Sequence, residues 1–205
     1  MELLMNEISE TFKHGKNFKV GHYCVIEEDV IVGDNVILGH HVMLKKGTRF
    51  RNDVDFADYC VTTGACWVGN NVAFRTGAIL SKSVIVEDNV FYGPGVVTNH
   101  TKHISHMRPN MRKEQLLTII GFGSIIGTQV SIVAGVKIAP LSIVGGGGVI
   151  VKDLNLPGVY VGNPVKRIMD TPDEYIIEIP DNAGSMYLTD EIINHLKKYI
   201  KHLKV

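Results

Sequence analysis

Apolar side chains recur at every sixth position over most of the chain. From Val20 to Thr98 each sixth residue is apolar or aromatic, with Thr62 and Thr98 as the two exceptions. The residue four places further on in each hexad is small or β-branched, as at Cys24 and Val30. A sustained period of six predicts a parallel β-helix, in which each hexad forms one short strand and one corner. We therefore predict an all-β chain.

Stacking of the predicted coils can be tested within the sequence itself. Three hexads would close one triangular coil, so residues 18 apart would lie above one another. Asn35, Asp53, Asn71 and Asn89 follow this spacing and all fall at a corner. Asn and Asp tolerate a left-handed backbone better than other residues that carry a Cβ atom. The column thus supports a three-sided prism in which each coil covers its neighbour.

The period is interrupted once. After Thr98 the phase is lost until Ile120, and it then continues to Leu156. An uninterrupted helix would start its next side at residue 104, so the resumption at 120 implies 16 additional residues. We predict that residues 101–118, which are polar, basic and rich in histidine, form an extruded loop. Long insertions in a compact repeat scaffold are usually functional or disordered.

The two ends of the chain lie outside the hexad pattern. Residues 1–19 are predicted to form a helical or irregular N-terminal cap, in which Phe12 and Phe18 cover the open end of the prism. The β-helix domain with its terminal segment is assigned to residues 20–168. Residues 169–205 are assigned to a C-terminal α-helical extension.

Two helix starts are predicted in the extension. Thr171 precedes a proline and two acidic residues, and Thr189 precedes a second acidic turn. The second helix has an apolar face with ordinary core spacing, which favours packing on the prism or on a neighbouring subunit. Its other face is rich in lysine, so binding to a membrane surface is the alternative.

Composition limits the possible partners and compartment. The chain has 205 residues, of which 45% are hydrophobic, and this suits one domain. Lys plus Arg equals Asp plus Glu at 21 each, so no overall charge favours nucleic acid or a membrane surface. We find no transmembrane stretch, and the N-terminal residues are too charged for a signal peptide, so we expect a cytoplasmic protein. Cys24, Cys60 and Cys66 fall in the inward column, where we expect them to act as small apolar residues.

Three features together resemble a known family. They are the hexads, the loop after Val-Thr-Asn-His at 97–100, and the stretch from Ile143 to Asp153 that leads to Gly-Asn-Pro at 162–164. This combination resembles the left-handed β-helix acyltransferases that use acetyl-CoA. The stretch 90–99 particularly resembles bacterial nucleotide-sugar N-acetyltransferases, which acetylate an amino group on a sugar carried by dTDP or UDP. The Asn-His pair is also similar to that of xenobiotic and galactoside acetyltransferases, whose catalytic histidine lies near the start of such a loop.

The resemblance implies a homotrimer with CoA in the groove between neighbouring prisms. It makes His100 the general base, with Asn99 as a group that orients the acceptor. It implies that one set of residues binds acetyl-CoA: Gly127, Ala134, Gly145, Gly146, Lys152, Asn163, Pro164, Lys166 and Arg167. A second set would bind the nucleotide-sugar: His40, Asp58, Lys82, His103, His106 and Arg108. The loop cations Lys102, Arg112 and Lys113 would serve either CoA or the nucleotide diphosphate.

Several alternatives remain open at this point. The acceptor can be a hydroxyl of a sugar or xenobiotic, which would make the chain an O-acetyltransferase, and the acyl group can differ from acetyl. No metal is expected in the main interpretation. However, His100, His103 and His106 are spaced as zinc ligands, and His22, His40 and Asp58 stack 18 apart, so a zinc enzyme similar to the γ-class carbonic anhydrases is the alternative from another class. A noncatalytic β-helix scaffold is a third hypothesis.

Overall fold

The computed structural model describes residues 6–111 and 114–205, and within them three sheets form the sides of a prism, parallel throughout except where β25 pairs antiparallel with β24. Strands are numbered in chain order, and the chain visits sides A, B and C in turn. Side A contains β1 (Glu7–Ile8), β4 (Val25–Ile26), β7 (Met43–Leu44), β10 (Val61–Thr62), β13 (Ile79–Leu80), β16 (Val97–Thr98), β20 (Ser131–Ile132) and β23 (Val149–Ile150). Side B contains β2 (Lys13–His14), β5 (Ile31–Val32), β8 (Arg49–Phe50), β11 (Trp67–Val68), β14 (Val84–Val86), β18 (Thr118–Ile120) and β21 (Lys137–Ile138). Side C contains β3 (Lys19–Val20), β6 (Ile37–Leu38), β9 (Val54–Phe56), β12 (Val72–Phe74), β15 (Phe91–Tyr92), β19 (Ile125–Ile126), β22 (Ser142–Val144), β24 (Gly158–Gly162) and β25 (Val165–Met169).

Three further elements lie outside the prism sides. A short sheet pairs β17 (Gln115–Leu116) with β26 (Leu203–Lys204). A single 3-10 turn covers Asp173–Tyr175, and the helix α1 covers Asp190–Tyr199. None of the helices in the described part of the chain is long and apolar enough to cross a membrane.

Strand register confirms the stacking by 18 residues. Val25 pairs with Met43, and Val61 pairs with Ile79, in parallel register. The inward columns are buried, and the three cysteines are free thiols within them. Burial raises the pKa of Cys60 to about 11 and that of Cys66 to about 12, so these thiols remain protonated and apolar in character.

The corner column of Asn and Asp residues also behaves as predicted. All four members have a left-handed backbone, with φ between 53° at Asn71 and 60° at Asn89. Their side chains hydrogen-bond from coil to coil, for example from Asn35 Nδ2 to Asp53 Oδ1 at 2.8 Å. The column therefore joins successive coils at the surface as well as turning the chain.

The predicted insertion lies between sides A and B. Ile119 of β18 pairs with Ile85 of β14, which is 34 positions earlier and 16 more than the regular spacing of 18. The chain leaves the prism after Thr98 and rejoins it at Thr118. The final part of the predicted loop is thus not irregular, because Gln115–Leu116 forms strand β17 and Thr118 already belongs to side B.

The N-terminal boundary at residue 20 is wrong, because the β-helix already includes Glu7. Strand β1 pairs with β4, and β2 pairs with β5, so residues 7–19 form a regular first coil. His14 lies six residues before Val20, at the position that is apolar in nearly all later hexads. The hexad pattern therefore could not be followed below residue 20 in the sequence. His14 stacks on Phe18 with ring centroids 4.8 Å apart, and Phe18 lies 5.2 Å from Phe12, so the aromatic rings close the end of the prism. Residues 1–5 of the predicted cap lie outside the described residues.

Only the second of the two predicted helices forms. Thr171 does not cap a helix; its hydroxyl donates to Leu141 O at 2.8 Å, and only the 3-10 turn follows. Thr189 is the N-cap of α1 and accepts a hydrogen bond from Ile192 N at 3.4 Å. The apolar face of α1 is buried on the outer surface of side B. Ile192, Leu196 and Ile200 of the helix and its C-cap share a buried cluster there with Ala65, Ile85, Leu117 and Ile119. The helix therefore packs on the prism of its own chain.

A buried carboxylate anchors the segment that leads to α1. Glu87 is fully buried and accepts three backbone N–H donors, from Phe122 at 2.9 Å, Gly184 at 2.7 Å and Met186 at 2.8 Å. Burial raises the pKa of Glu87, and the three donors oppose that rise because they favour the ionised form. Glu87 thus fastens the C-terminal extension to a corner of the prism.

We predict that Glu87→Ala will lower the free energy of unfolding by about 3 kcal/mol or more, because three buried donors lose their acceptor. Chemical denaturation measures this change. Glu28→Ala is the matched control, since Glu28 is an exposed carboxylate paired with Lys46 and such pairs contribute about 1 kcal/mol or less. Equal losses in the two variants would contradict the anchoring role of Glu87.

Candidate active site

Four of the predicted site residues stack in one column at the corner between sides A and B. Val97 pairs with Ile79, and Thr98 pairs with Ile132, so His100 lies between Lys82 on one coil and Ala134 on the next. Ile132 in turn pairs with Ile150, which places Lys152 one coil beyond Ala134. We call this column the A–B corner. It is also the corner at which the inserted loop leaves the prism.

The environment of His100 favours a neutral imidazole. The side chain is half-buried, and this burial, together with the positive charge of Lys82, lowers the pKa of His100. Within residues 6–111 and 114–205, no carboxylate accepts a hydrogen bond from its ring. An unprotonated histidine at a corner open to solvent is a competent proton acceptor. Asn99 beside it is exposed, and its backbone N–H donates to Ile132 O at 2.9 Å.

The loop residues predicted to bind substrate project away from the prism. His103, His106 and Arg108 are exposed, and Arg108 Nη1 donates to the carbonyl of His106 at 2.8 Å. Exposed Ile104 and Met107 accompany them. The described contacts do not bring these side chains to His100. Of the loop cations, Arg112 and Lys113 lie outside the described residues.

His40 and Asp58 lie at a different corner, the one between sides C and A. Asp58 Oδ1 accepts from the backbone N–H of His40 at 2.6 Å, and His40 Nδ1 accepts from the N–H of His22 at 3.0 Å. The three side chains thus form a ladder that satisfies corner backbone groups. Within one chain, side A separates this ladder from His100. The structure therefore does not bring His40 and Asp58 close to the predicted base.

The glycines assigned to CoA binding have a structural explanation in the same corner. A Cβ atom on Gly127 would lie 2.6 Å from Val144 O, and one on Gly145 would lie 2.9 Å from Val161 Cγ1. A Cβ atom on Gly146 would approach Thr128 O to 3.2 Å. A side chain at any of these positions would therefore meet neighbouring segments of the same chain, which explains the glycines without a ligand. Their assignment to CoA binding stays a prediction.

The terminal hairpin β24–β25 contains the remaining CoA candidates. Asn163 and Pro164 form its exposed turn, and Lys166 is exposed on β25. Arg167 Nε and Nη2 donate to Pro157 O at 2.9 and 2.8 Å, and its guanidinium also pairs with Asp170. Arg167 is thus engaged in holding the hairpin, which leaves Lys152 and Lys166 as the cations of this set without a partner among the described residues.

Sequence reasoning missed a groove that continues from the His100 column. It has a volume of about 240 Å³ and lies between the A–B corner and the end of α1. Its lining residues are Glu27, Lys45, Lys46, Thr63, Gly64, Ala65, Lys82, Tyr199 and Ile200. Lys45 and Lys46 pair with Glu27 and Glu28, each at 2.5 Å. The sequence shows that Glu27 and Glu28 each precede a lysine by 18 positions. It does not show that Tyr199 and Ile200 form a wall of the groove.

The geometry does not favour the zinc alternatives. No group of three histidine, cysteine, aspartate or glutamate side chains is placed to hold a metal ion in the part of the chain that the structure describes. In the His22, His40 and Asp58 column, Nδ1 of His40 already accepts a backbone hydrogen bond.

Comparison with known proteins agrees with this architecture. The family profile described as "Bacterial transferase hexapeptide (six repeats)" matches residues 13–46. No curated protein sequence gives a significant match. Among solved structures, AntD, an N-acyltransferase from Bacillus cereus in complex with dTDP and coenzyme A, is 18% identical with a TM-score of 0.54, covering 79% of this chain and 85% of its own.

Two other structures are similar at lower scores. Perosamine N-acetyltransferase from Caulobacter crescentus, in complex with CoA and GDP-perosamine, is 18% identical with a TM-score of 0.43, and the match covers 82% of this chain. The present chain spans 58% of the length of that protein. The polySia-specific acetyltransferase NeuO is 19% identical with a TM-score of 0.45, covering 95% of this chain and 94% of its own. The chain is a left-handed parallel β-helix of hexapeptide repeats, as predicted.

We predict that Lys82→Gln will raise the pKa of His100, because a neighbouring cation disfavours the imidazolium form and its removal relieves that effect. NMR titration of labelled histidines measures the change, with the His100 signal assigned from its loss in His100→Gln. Lys46→Gln is the control, since Lys46 lies three coils from His100 in the same column. A pKa that is unchanged by Lys82→Gln, or shifted equally by both variants, would contradict the described environment of His100.

Proposed function

We propose that the chain is an acetyl-CoA-dependent acyltransferase that acetylates the amino group of a deoxysugar linked to dTDP or UDP. The observation that carries the proposal is the single interruption of the hexapeptide β-helix directly after His100, whose half-buried imidazole stacks between Lys82 and Ala134. The bound dTDP and coenzyme A of AntD, which shares the fold, support this choice of substrates.

The proposed reaction needs one proton acceptor at the corner. The amine nitrogen attacks the thioester carbon, and the carbonyl electron pair moves to oxygen to give a tetrahedral oxyanion. The oxyanion collapses, the carbon–sulfur bond breaks, and CoA leaves as a thiolate. His100 takes the proton from the attacking nitrogen and returns it to the thiolate sulfur. A backbone N–H of an adjacent prism would donate to the oxyanion.

A second copy of the chain completes the proposed cleft. The A–B corner of one prism is convex, so it encloses an extended substrate only when another surface faces it. We infer a homotrimer in which the A–B corner of one copy meets the C–A corner of the next. His40 follows β6 and Asp58 follows β9, three and two coils before the coil of His100, so in that arrangement they would line the same cleft about 10 to 15 Å along it. Lys152 and Lys166 would bind the phosphates of acetyl-CoA.

A cytoplasmic location, without nucleic-acid or membrane partners, remains our prediction.

O-acetylation is the second candidate. A hydroxyl loses its proton only with the help of a base, and the lowered pKa of His100 keeps that base unprotonated near neutral pH. A neutral amine is nucleophilic without such help. The dependence of the rate on His100 therefore distinguishes the two reactions.

Release of free CoA thiol from acetyl-CoA tests the proposal. We expect turnover with at least one dTDP- or UDP-linked amino sugar, and none with the corresponding sugar that has a hydroxyl in place of the amine. Turnover with hydroxyl acceptors alone would establish the O-acetyl alternative. CoA binding without turnover in either group would contradict both.

We predict that His100→Ala will lower kcat by about 10²-fold or more with a hydroxyl acceptor, the usual contribution of a general base. With an amine acceptor we expect a loss of about tenfold, because the nucleophile needs less assistance. Steady-state rates across pH measure both values. The control is His14→Ala, which removes an exposed histidine at the far end of the prism. A rate near that of the wild type at all pH values in His100→Ala would exclude the general-base role.

A further inference from the structure

The inserted loop interrupts the prism beside His100, and a short strand restores the missing contacts. Strand β17 returns from the loop alongside the point of departure, where Leu116 N donates to His100 O at 3.4 Å. Two residues further on, Thr118 N donates to Ser83 O at 2.9 Å and the regular coils resume. Leu116 thus makes a direct backbone contact with the proposed base.

The side chain of Leu116 occupies the corner of the next coil. A Cβ atom on Gly135 would lie 2.8 Å from Cβ of Leu116, so the leucine packs closely over Gly135. Gly135 has a φ of +83° and follows Ala134, the residue stacked on His100. Strand β17 therefore touches both coils that bound the interruption.

The opposite edge of β17 is held by the C-terminal strand. Gln115 pairs with Leu203, and Leu116 pairs with Lys204, in parallel register. Leu117 N donates to Lys204 O at 2.9 Å, and Lys204 Nζ lies 2.7 Å from Glu114 Oε1. Leu203 is half-buried and packs against the apolar cluster beneath α1.

Helix α1 fixes the position from which β26 begins. Leu196 and Ile200 are buried at the end of the helix in the same cluster as Leu117, the residue that follows β17. His195 Nε2 is hydrogen-bonded to Gly47 O at 2.8 Å, and Lys198 pairs with Asp29 at 3.1 Å. A pair of two-residue strands has little stability alone, so this anchored helix is what keeps β26 against β17.

We propose that β26 is a clamp that positions His100 through β17, with Leu203 as the positioning residue. The inference rests on the proposed function for its catalytic consequence, and on the described contacts for its physical link. Displacement of a catalytic group by about 1 Å can reduce a rate by about 10²-fold. A strand that holds the backbone of His100 therefore controls the rate without touching either substrate.

The physical link is tested by hydrogen exchange in full-length variants. Leu203→Asp places a charge in the apolar cluster and should release β26. Val205→Asp adds the same charge one residue beyond the strand, where the side chain is 62% exposed, and serves as the control. We expect faster exchange in peptides covering 99–101 and 114–118 in Leu203→Asp alone, with the prism strands still protected. Unchanged exchange in these peptides would overturn the clamp, whether or not the protein shows transferase activity. If Leu203→Asp loses the protected prism, Leu203→Ala replaces it.

The catalytic consequence is tested by combining the variant with His100→Ala. We expect Leu203→Asp to lower kcat by about tenfold in the wild-type background, with little change in KM for acetyl-CoA. In the His100→Ala background the same substitution should change kcat by less than about twofold, because the positioned group is absent. The conservative variant Leu203→Met, made in place of Leu203→Asp, should keep the wild-type rate. Equal losses in both backgrounds would overturn the positioning role. An inactive wild-type protein whose exchange responds as described would refute the proposed function while leaving the clamp intact.

Discussion

The register between coils is the constraint on which the rest of the structure depends. Backbone N–H groups of each strand donate to carbonyls of the next coil, as from Val25 N to Val42 O at 2.9 Å and from Val61 N to Ala78 O at 3.0 Å. Each coil covers the apolar residues of its neighbour, and no coil could bury them alone. A shift of one residue would turn inward side chains outward, so the register also fixes which residues reach each corner.

This register explains why the candidate site lies where the repeat is interrupted. Most corner residues are committed to stacking: the glycines of the C–A corner fit against neighbouring segments, and His40 and Asp58 satisfy backbone donors. At the A–B corner the insertion of 16 residues releases the chain from that requirement. His100 lies at the point of release, and none of the described residues hydrogen-bonds to its imidazole. The same release leaves a gap in the prism, which β17 and the C-terminal strand fill.

The periodic features could be predicted from the sequence because they repeat at short range. The inward columns, the ladder that includes Asn35 and the length of the insertion all follow from counting in sixes and in eighteens. Thr189 also has a local capping signal, and its helix forms as predicted. The first coil was missed because His14 breaks the apolar phase, although aromatic stacking accommodates it at the end of the prism.

Other features depend on contacts between distant residues and carry no periodic signal. Glu87 has the pattern of an ordinary acidic corner residue, and only the fold brings Gly184 and Met186 to its carboxylate. Arg167 matches a CoA-binding position by motif, yet the hairpin directs it to Pro157. The pairing of β26 with β17 joins segments almost 90 residues apart, and their two-residue strands are too short to recognise in advance. For the same reason, the residues that face His100 across a subunit boundary follow from assembly and not from one chain.

The central claim is that the interruption at His100 creates the crevice in which the thioester binds. Hydrogen exchange with and without saturating CoA tests this claim directly, because it locates the bound molecule on the chain. The account predicts slower exchange in peptides that contain His100, Ala134 and Lys152, while the groups of side B beneath α1 remain unchanged. Protection confined to other surfaces, or no protection at saturating CoA, would contradict it.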